Sequence, residues 1–169
     1  MPDTTSRAGR PLSPIRPTDD AARALGRTLM TDARYGALAV LDPETGHPLI
    51  SRIAVGRAPD GGMVALVSDL AQHTAALHAD PRASLLLGEP GPKGDPLNHP
   101  RLSHRVIAAF VARDSAEHGL IRARYLAEHP KAKLYVDFAD FSFVRFRVEA
   151  AALNGGFGKA YDLLGIDLE

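Results

Sequence analysis

The stretch Gly36–Val67, GALAVLDPETGHPLISRIAVGRAPDGGMVALV, decides the fold of this chain. It holds three short apolar runs separated by two segments, Asp42–Gly46 and Pro59–Gly62, that are rich in turn-forming residues. Short turns between consecutive strands predict an antiparallel meander, because parallel strands need much longer crossovers. In the middle strand, Pro48–Ala58, the side chains alternate between two faces, with Leu49, Ser51, Ile53 and Val55 on one and Ile50, Arg52, Ala54 and Gly56 on the other.

The flanking sequence adds further strands and helices to this meander. Alternation predicts three more strands, at Ala83–Leu87, Arg101–Arg113 and Phe141–Ala152, the last with Val144, Phe146, Val148 and Ala150 on one face. Helical spacing predicts helices over Thr18–Ala33, Gln72–Ala79 and Ser115–Glu128, and a shorter helical piece over Lys131–Phe138. These elements predict a mainly β (α+β) protein, built as a six-stranded antiparallel barrel with flanking helices.

The length and composition predict one globular domain. The chain has 169 residues, of which 45% are apolar and 24% are charged, and these are ordinary values for a single domain. Residues 1–17 combine proline, serine, threonine and arginine without periodicity, which predicts a flexible N-terminal arm. The folded domain is therefore expected over residues 18–169.

The charge balance and the residue types exclude several classes of function. Twenty basic and twenty acidic residues create no net field that would attract nucleic-acid phosphates. The absence of cysteine excludes a disulfide framework, a zinc knuckle and a thiolate nucleophile. No run approaches the roughly 20 apolar residues of a membrane helix, and Met1–Pro17 lacks the apolar core of a signal peptide. The sequence predicts a cytoplasmic protein that binds neither nucleic acid nor a membrane.

Two motifs that would indicate other chemistry fail on their spacing, and a third is absent. The glycines of Gly155–Gly158 follow a strand, but Tyr161 stands where a dinucleotide fingerprint needs its third glycine. Two histidine pairs are each five residues apart and lack the helical spacing of a catalytic zinc motif, namely His73 with His78 and His99 with His104. No G-x-S-x-G segment is present, so serine-based hydrolysis is not expected.

The segment SDLAQHT, Ser68–Thr74, indicates anion binding. It enters a short helix whose first amides lack intrahelical acceptors, and it adds two hydroxyls and the imidazole of His73. Arg52 on the neighbouring strand adds a guanidinium, so that the group could hold a phosphate dianion. Arg57 lies five residues further along the same strand and is expected on the opposite face unless a bulge intervenes.

Five stretches carry a resemblance to a known family: PLISRIAV (48–55), SDLAQHTAALHADPRASLLL (68–87), DPLNHPRLS (95–103), RYLAEHPKAKLYVDFADFSFVRFRVE (124–149) and NGGFGKA (154–160). On these segments the chain resembles the pyridoxamine-phosphate-oxidase-like, FMN-binding split barrels, and within them the haem-utilisation subgroup. The resemblance covers most of the chain from Thr18 to Ala160. It implies that the barrel is an FMN-binding split barrel.

The resemblance also implies a function and a site. Members are similar in forming homodimers with FMN in the interface clefts, so it implies an FMN-dependent oxidoreductase acting on a small-molecule substrate. By matching position, the implied cofactor-binding residues are Ser51, Arg52, Ile53, Ala54, Arg57, Ser68, Gln72, His73 and Thr74. The strand backbone would carry the flavin ring beside the small Ala54, and the later residues would hold the phosphate. No catalytic acid or base is assigned, because structural roles explain Asp137, Asp140, His104 and Tyr161 equally well.

Two departures from the subgroup keep two alternatives open. Ala75 and Ala76 stand where the subgroup usually has a basic residue and then asparagine, which favours a non-catalytic cofactor-binding barrel. Haem-degrading members bind the haem iron through a histidine near the C-terminus, and no histidine follows His129 here. Tyr161 is therefore the candidate iron ligand if the chain binds or degrades haem.

Overall fold

The computed structural model describes residues 15–169, so residues 1–14 of the predicted arm lie outside the described residues. The strands are Ile15–Arg16 (β1), Tyr35–Leu41 (β2), Pro48–Arg57 (β3), Met63–Ser68 (β4), Arg82–Leu87 (β5), Arg101–Phe110 (β6), Phe141–Asn154 (β7) and Ala160–Leu164 (β8). The α-helices are Asp20–Asp32 (α1), Gln72–Ala79 (α2) and Ala116–Glu128 (α3), and short 3-10 helices cover Pro96–Asn98, Pro130–Leu134 and Gly165–Leu168. No helix among these residues is long and apolar enough to cross a membrane.

Six strands close into a barrel in the order β2, β3, β4, β7, β6 and β5, each antiparallel to its neighbours. The 14 residues of β7 make closure possible, because one edge pairs with β6 while the other pairs first with β4 and then with β8. The short β1 adds to β8 in parallel, outside the ring. The predicted six-stranded split barrel with flanking helices is confirmed.

Two local features differ from the sequence-based expectation. The glycine-rich segment turns the chain at Gly156 and Gly158, which have φ values of 108° and 68°, and the residues after it form strand β8, which was not predicted from the sequence. A β-bulge leaves Glu149 without a partner between Val148 and Ala150. The bulge reverses the alternation of side chains, so Ala150 faces outward. The prediction that Ala150 shares one face with Val144, Phe146 and Val148 is therefore wrong.

Apolar side chains form two cores, one inside the barrel and one outside it. The inner core includes the fully buried residues Leu38, Val55, Leu85 and Leu102. The second core lies under α3, where Val64, Ile121, Tyr125 and Phe143 are buried. Because α3 packs against the end of β3, a Cβ at Gly56 would lie 2.9 Å from Cδ2 of Tyr125. The outer face of β3 is therefore covered at its C-terminal end and open at its N-terminal half.

Candidate functional site

The open half of the outer face of β3 carries Arg52. This side chain is exposed, and its Cζ lies 5.4 Å from the ring centroid of Tyr35. The pairing of Arg52 with Ala37 and of Ala54 with Tyr35 brings the two side chains together on one face. Among residues 15–169 the guanidinium has no hydrogen-bond or ion-pair partner, so its donors are available to an anion. Sequence reasoning did not select Tyr35, because only the cross-strand register shows that it holds Arg52.

The backbone of β3 is also open beside Arg52. Ser51, Arg52, Ile53 and Ala54 all pair with β2, but the ladder between β3 and β4 begins only at Val55. The amides and carbonyls of residues 51–54 that point away from β2 therefore have no strand partner in the described chain. Ile53 itself points into the barrel core, whereas Ser51 and Ala54 are half-buried. The family resemblance implies that a flavin ring lies against this backbone, and such a contact requires an unpaired strand edge.

The turn after β4 joins Ser68, Asp140 and the start of α2. The Ser68 hydroxyl donates to Oδ2 of Asp140 at 2.9 Å, and the Asp69 amide donates to the Asp140 carbonyl at 2.7 Å. Thr74 is buried, and its hydroxyl donates to the Ser68 carbonyl at 2.7 Å. In this structure both hydroxyl protons are used to shape the turn. Asp140 is the residue that organises it, a role that no sequence motif indicates.

The first turn of α2 presents free donors at the same end of the barrel. Ala71 precedes the helix without a side-chain cap, and the amides of Gln72 and His73 have no acceptor within residues 15–169. Gln72 is exposed, whereas His73 is half-buried. Burial lowers the pKa of His73, which keeps its imidazole neutral and its lone pair free. The structure thus places Gln72 and His73 where an anion or a metal-containing ligand would reach them.

Arg57 lies at the opposite end of β3. It pairs with Met63, and Ser68 is five residues further along β4, a separation of roughly 16 Å at the rise of a β-strand. The Arg57 guanidinium donates to Sδ of Met63 at 3.9 Å. The structure therefore brings Arg52 to the end of the barrel that holds Ser68 and α2, and it does not bring Arg57 there.

A band of small and apolar residues crosses the outside of the barrel beside Arg52. Cross-strand pairing places Ala37 between Arg52 and Leu86, and Ala39 between Ile50 and Ser84. On β6 the exposed Ser103 and Arg105 interrupt the band, which continues over β7 and β8. Ile50 and Leu164 are 68% and 63% exposed. We call this surface the alanine face, and it consists of Ala37, Ala39, Ile50, Leu86, Ala150, Ala152 and Leu164. Exposed apolar surface of this extent is typical of an interface.

The alternative iron ligand, Tyr161, lies elsewhere. It is 9% exposed, belongs to the inner core, and pairs with Leu153 on β7. Its ring packs in the core and lies away from the open half of β3, so Tyr161 would not contact a ligand bound beside Arg52; its role as a haem-iron ligand stays a prediction. No group of three or more acidic or histidine side chains suited to a metal ion occurs in the described part of the chain.

The comparisons with known proteins agree with this architecture. A family model described as the CREG β-barrel matches residues 17–166. The chain belongs to the CREG β-barrel family. One solved structure, 45% identical to this CREG β-barrel, superposes with a TM-score of 0.82 over 90% of this chain and 98% of its own.

Two relatives of this CREG β-barrel are described by their relation to haem. The structure of a heme-binding protein from Mycobacterium smegmatis is 32% identical and has a TM-score of 0.80, over 91% of this chain and 61% of that one. The chloroplastic non-canonical heme oxygenase HOZ of Arabidopsis thaliana is 32% identical over 136 residues, which are 80% of this chain and 40% of HOZ. The chain thus spans less than two thirds of each of these proteins. They support the relation to haem utilisation, whereas the implied FMN-binding relation stays a prediction.

Proposed function

We propose that this CREG β-barrel is a haem-binding protein that holds haem against the open half of β3. The observation that carries the proposal is the 32% identity, over 91% of this chain, to a heme-binding protein. The similarity to a heme oxygenase supports haem binding. It also supports the proposal that the protein degrades the haem that it binds. The FMN-dependent oxidoreductase implied by the sequence is the second candidate.

The residues on the open half of β3 fit the chemical groups of haem. The macrocycle needs apolar surface, its propionates need cations, and its iron needs a neutral nitrogen or an oxygen donor. Ile50 and the alanines supply apolar surface, and the unpartnered Arg52 supplies a cation. His73 supplies a neutral imidazole, since burial lowers its pKa. Bound haem would bring its own redox chemistry, and these side chains would bind, orient and shield it.

Five of the seven histidines have ring contacts or ring hydrogen bonds that commit them to the fold. His78 stacks on Phe110, and His129 bonds to the carbonyl of Val55 at 2.7 Å. Within the described residues, only His47 and His73 have no such ring contact. His47 is exposed in the hairpin that precedes β3, roughly 16 Å along the strand from Arg52, whereas His73 lies at the end of the barrel that holds Arg52. His73 is therefore the histidine that we propose as iron ligand.

We propose a homodimer in which the alanine face of one copy covers that of the other. Contact between two such faces would remove exposed apolar side chains from water. Removal of apolar surface from water is the main driving force for association. The open half of β3 lies at the border of this face, so a second copy would enclose a ligand bound there. The dimer thus supplies the enclosure that the monomer surface lacks.

Titration of the purified protein with haemin tests the proposal. We expect a Soret band that saturates at one haem per chain, a change of the band in His73→Ala, and weaker binding by about tenfold in Arg52→Met. Arg82→Met is the matched control, because Arg82 is exposed like Arg52 but already pairs with Asp80 at 2.6 Å. A chain that gives no Soret band, or whose haemin affinity is equal in wild type and Arg52→Met, would contradict the proposal.

The free amides of Gln72 and His73 are the observation that favours FMN, because helix N-termini bind phosphate. The same protein is therefore titrated with FMN, with flavin fluorescence and the melting temperature as readouts. Stabilisation by FMN and none by haemin would show that FMN is the cofactor and exclude the haem proposal, and turnover with an electron donor would then test the oxidoreductase. Tight haemin binding without haem loss under ascorbate and oxygen would indicate a non-catalytic haem-binding barrel.

A further inference from the structure

A cavity of about 620 Å³ opens at the end of the barrel where β3 turns into β4. Its volume is within the range of small-molecule sites, roughly 300–1,000 Å³. The floor is apolar, and it consists of the buried side chains of Met30, Met63, Phe146 and Leu168. This end of β3 lies about 16 Å from Arg52 by the rise of a strand, so the cavity is separate from the open half of β3.

Three arginines line the rim of the cavity, and two of them have carboxylate partners. The lining also includes two acidic residues, Asp60, which pairs with Arg145, and Glu169, which is exposed. Arg145 donates to Asp60 and to Glu117, each at 2.5 Å. Arg147 donates to Glu149 at 3.2 Å. These two cations are neutralised within the protein, and neither requires a ligand.

Arg57 is different from the other two rim arginines. Its side chain is half-buried, and in the described chain its guanidinium donates only to the thioether of Met63, which is a weak acceptor. The nearby Glu128 is occupied, because it accepts from the Arg57 amide at 3.2 Å and from Arg124 at 2.8 Å. Burial removes water from the Arg57 guanidinium and so lowers its pKa. The side chain nevertheless stays charged at neutral pH. A partly desolvated cation without an acceptor is unfavourable unless an anion joins it.

The turn at the rim leaves room for the guanidinium heads. A Cβ at Gly61 would lie 3.0 Å from Nη2 of Arg57, and one at Gly62 would lie 2.7 Å from Nη2 of Arg145. Gly61 also has φ of 88°, a conformation that other residues rarely adopt. Gly61 therefore leaves room for the Arg57 head at the cavity mouth, and Gly62 leaves room for that of Arg145.

We propose that this cavity binds an amphipathic monocarboxylate, whose apolar body lies on the methionine and phenylalanine floor and whose carboxylate pairs with Arg57. One unpartnered guanidinium matches one negative charge, and its planar donors match the two oxygens of a carboxylate. The apolar floor supplies the rest of the affinity through removal of hydrocarbon from water. This site is independent of the proposed haem site.

Calorimetric titration with decanoate, below its micelle concentration, tests the proposal on the full chain. We expect saturable binding of one decanoate per chain and binding of 1-decanol that is weaker by at least about tenfold, because the alcohol cannot pair with Arg57. Arg57→Met should weaken decanoate binding by a similar factor, and Arg57→Lys should restore part of it. Arg147→Met is the matched control, since it removes a rim arginine that already has a partner, and should bind decanoate as the wild type does.

Two further measurements keep the proposal testable if Arg57→Met does not fold. Ala109 is exposed and lines the cavity, so Ala109→Trp should block decanoate binding in a folded protein. Saturating haemin should leave decanoate affinity unchanged. Equal affinity for decanoate and 1-decanol, unchanged binding in Arg57→Met or Ala109→Trp, displacement by haemin, or absence of decanoate binding would each overturn the proposal.

Discussion

His104 should make the stability of this protein fall in mild acid. The side chain is 1% exposed inside the barrel, its Nδ1 lies 3.3 Å from the Leu85 carbonyl, and its Nε2 has no partner within the described residues. Burial lowers the pKa of His104 from 6.5 to about 4. Above pH 6.5 the imidazole is neutral in both the folded and the unfolded chain, and its contribution to stability is complete. As the pH falls towards 4, the unfolded chain takes up a proton that the folded chain does not.

The size of this effect follows from the two pKa values. The gap between 6.5 and about 4, at about 1.4 kcal/mol per pH unit, corresponds to a loss of about 3 kcal/mol in the free energy of unfolding. Such a loss is a large fraction of the 5–15 kcal/mol that is typical for a domain. His104→Leu removes the titrating group and keeps an apolar side chain of similar volume in the barrel.

Urea unfolding of wild type and His104→Leu at pH 7.5 and at pH 4 measures the effect. The stability difference between the two proteins should move by about 3 kcal/mol in favour of the variant as the pH falls. Contributions of other groups are common to both proteins and cancel in the difference. Parallel pH profiles for wild type and His104→Leu would refute the reasoning.

Four further predictions concern the alanine face, the packing around β3 and β4, and helix α3. Leu86→Arg places a charge in the alanine face and should convert a dimer into monomers in sedimentation velocity; an unchanged dimer would place the interface elsewhere. Ser68→Ala loses its hydrogen bond to the carboxylate that anchors β4, and should cost about 1–2 kcal/mol in urea unfolding. Gly56→Ala should cost about 1–3 kcal/mol, because its Cβ would meet Tyr125 at 2.9 Å; Gly119→Ala in α3, where a Cβ has nothing within 4 Å, should instead stabilise by up to about 1 kcal/mol.

Much of the candidate site was predictable because it depends on neighbours in the chain. The bounds of α2, Gln72–Ala79, agree with the prediction, since Asp80-Pro81 ends a helix through local sterics. The position of Arg52 on the outer face follows from the alternation along one strand. Tyr35 and Asp140 were not predicted, because their roles depend on contacts with strands distant in sequence.

The sequence by itself determined the meander over residues 36–67, the helices and the six-strand barrel, because turn chemistry and the two periods of side-chain direction are local properties. Tertiary structure alone decided which of these surfaces remain open. The cover of α3 over Gly56, the bulge at Glu149 and the divergence of β3 from β4 before Val55 all arise from packing between distant segments. For that reason two arginines five residues apart on one strand, Arg52 and Arg57, lie against different surfaces at opposite ends of the barrel.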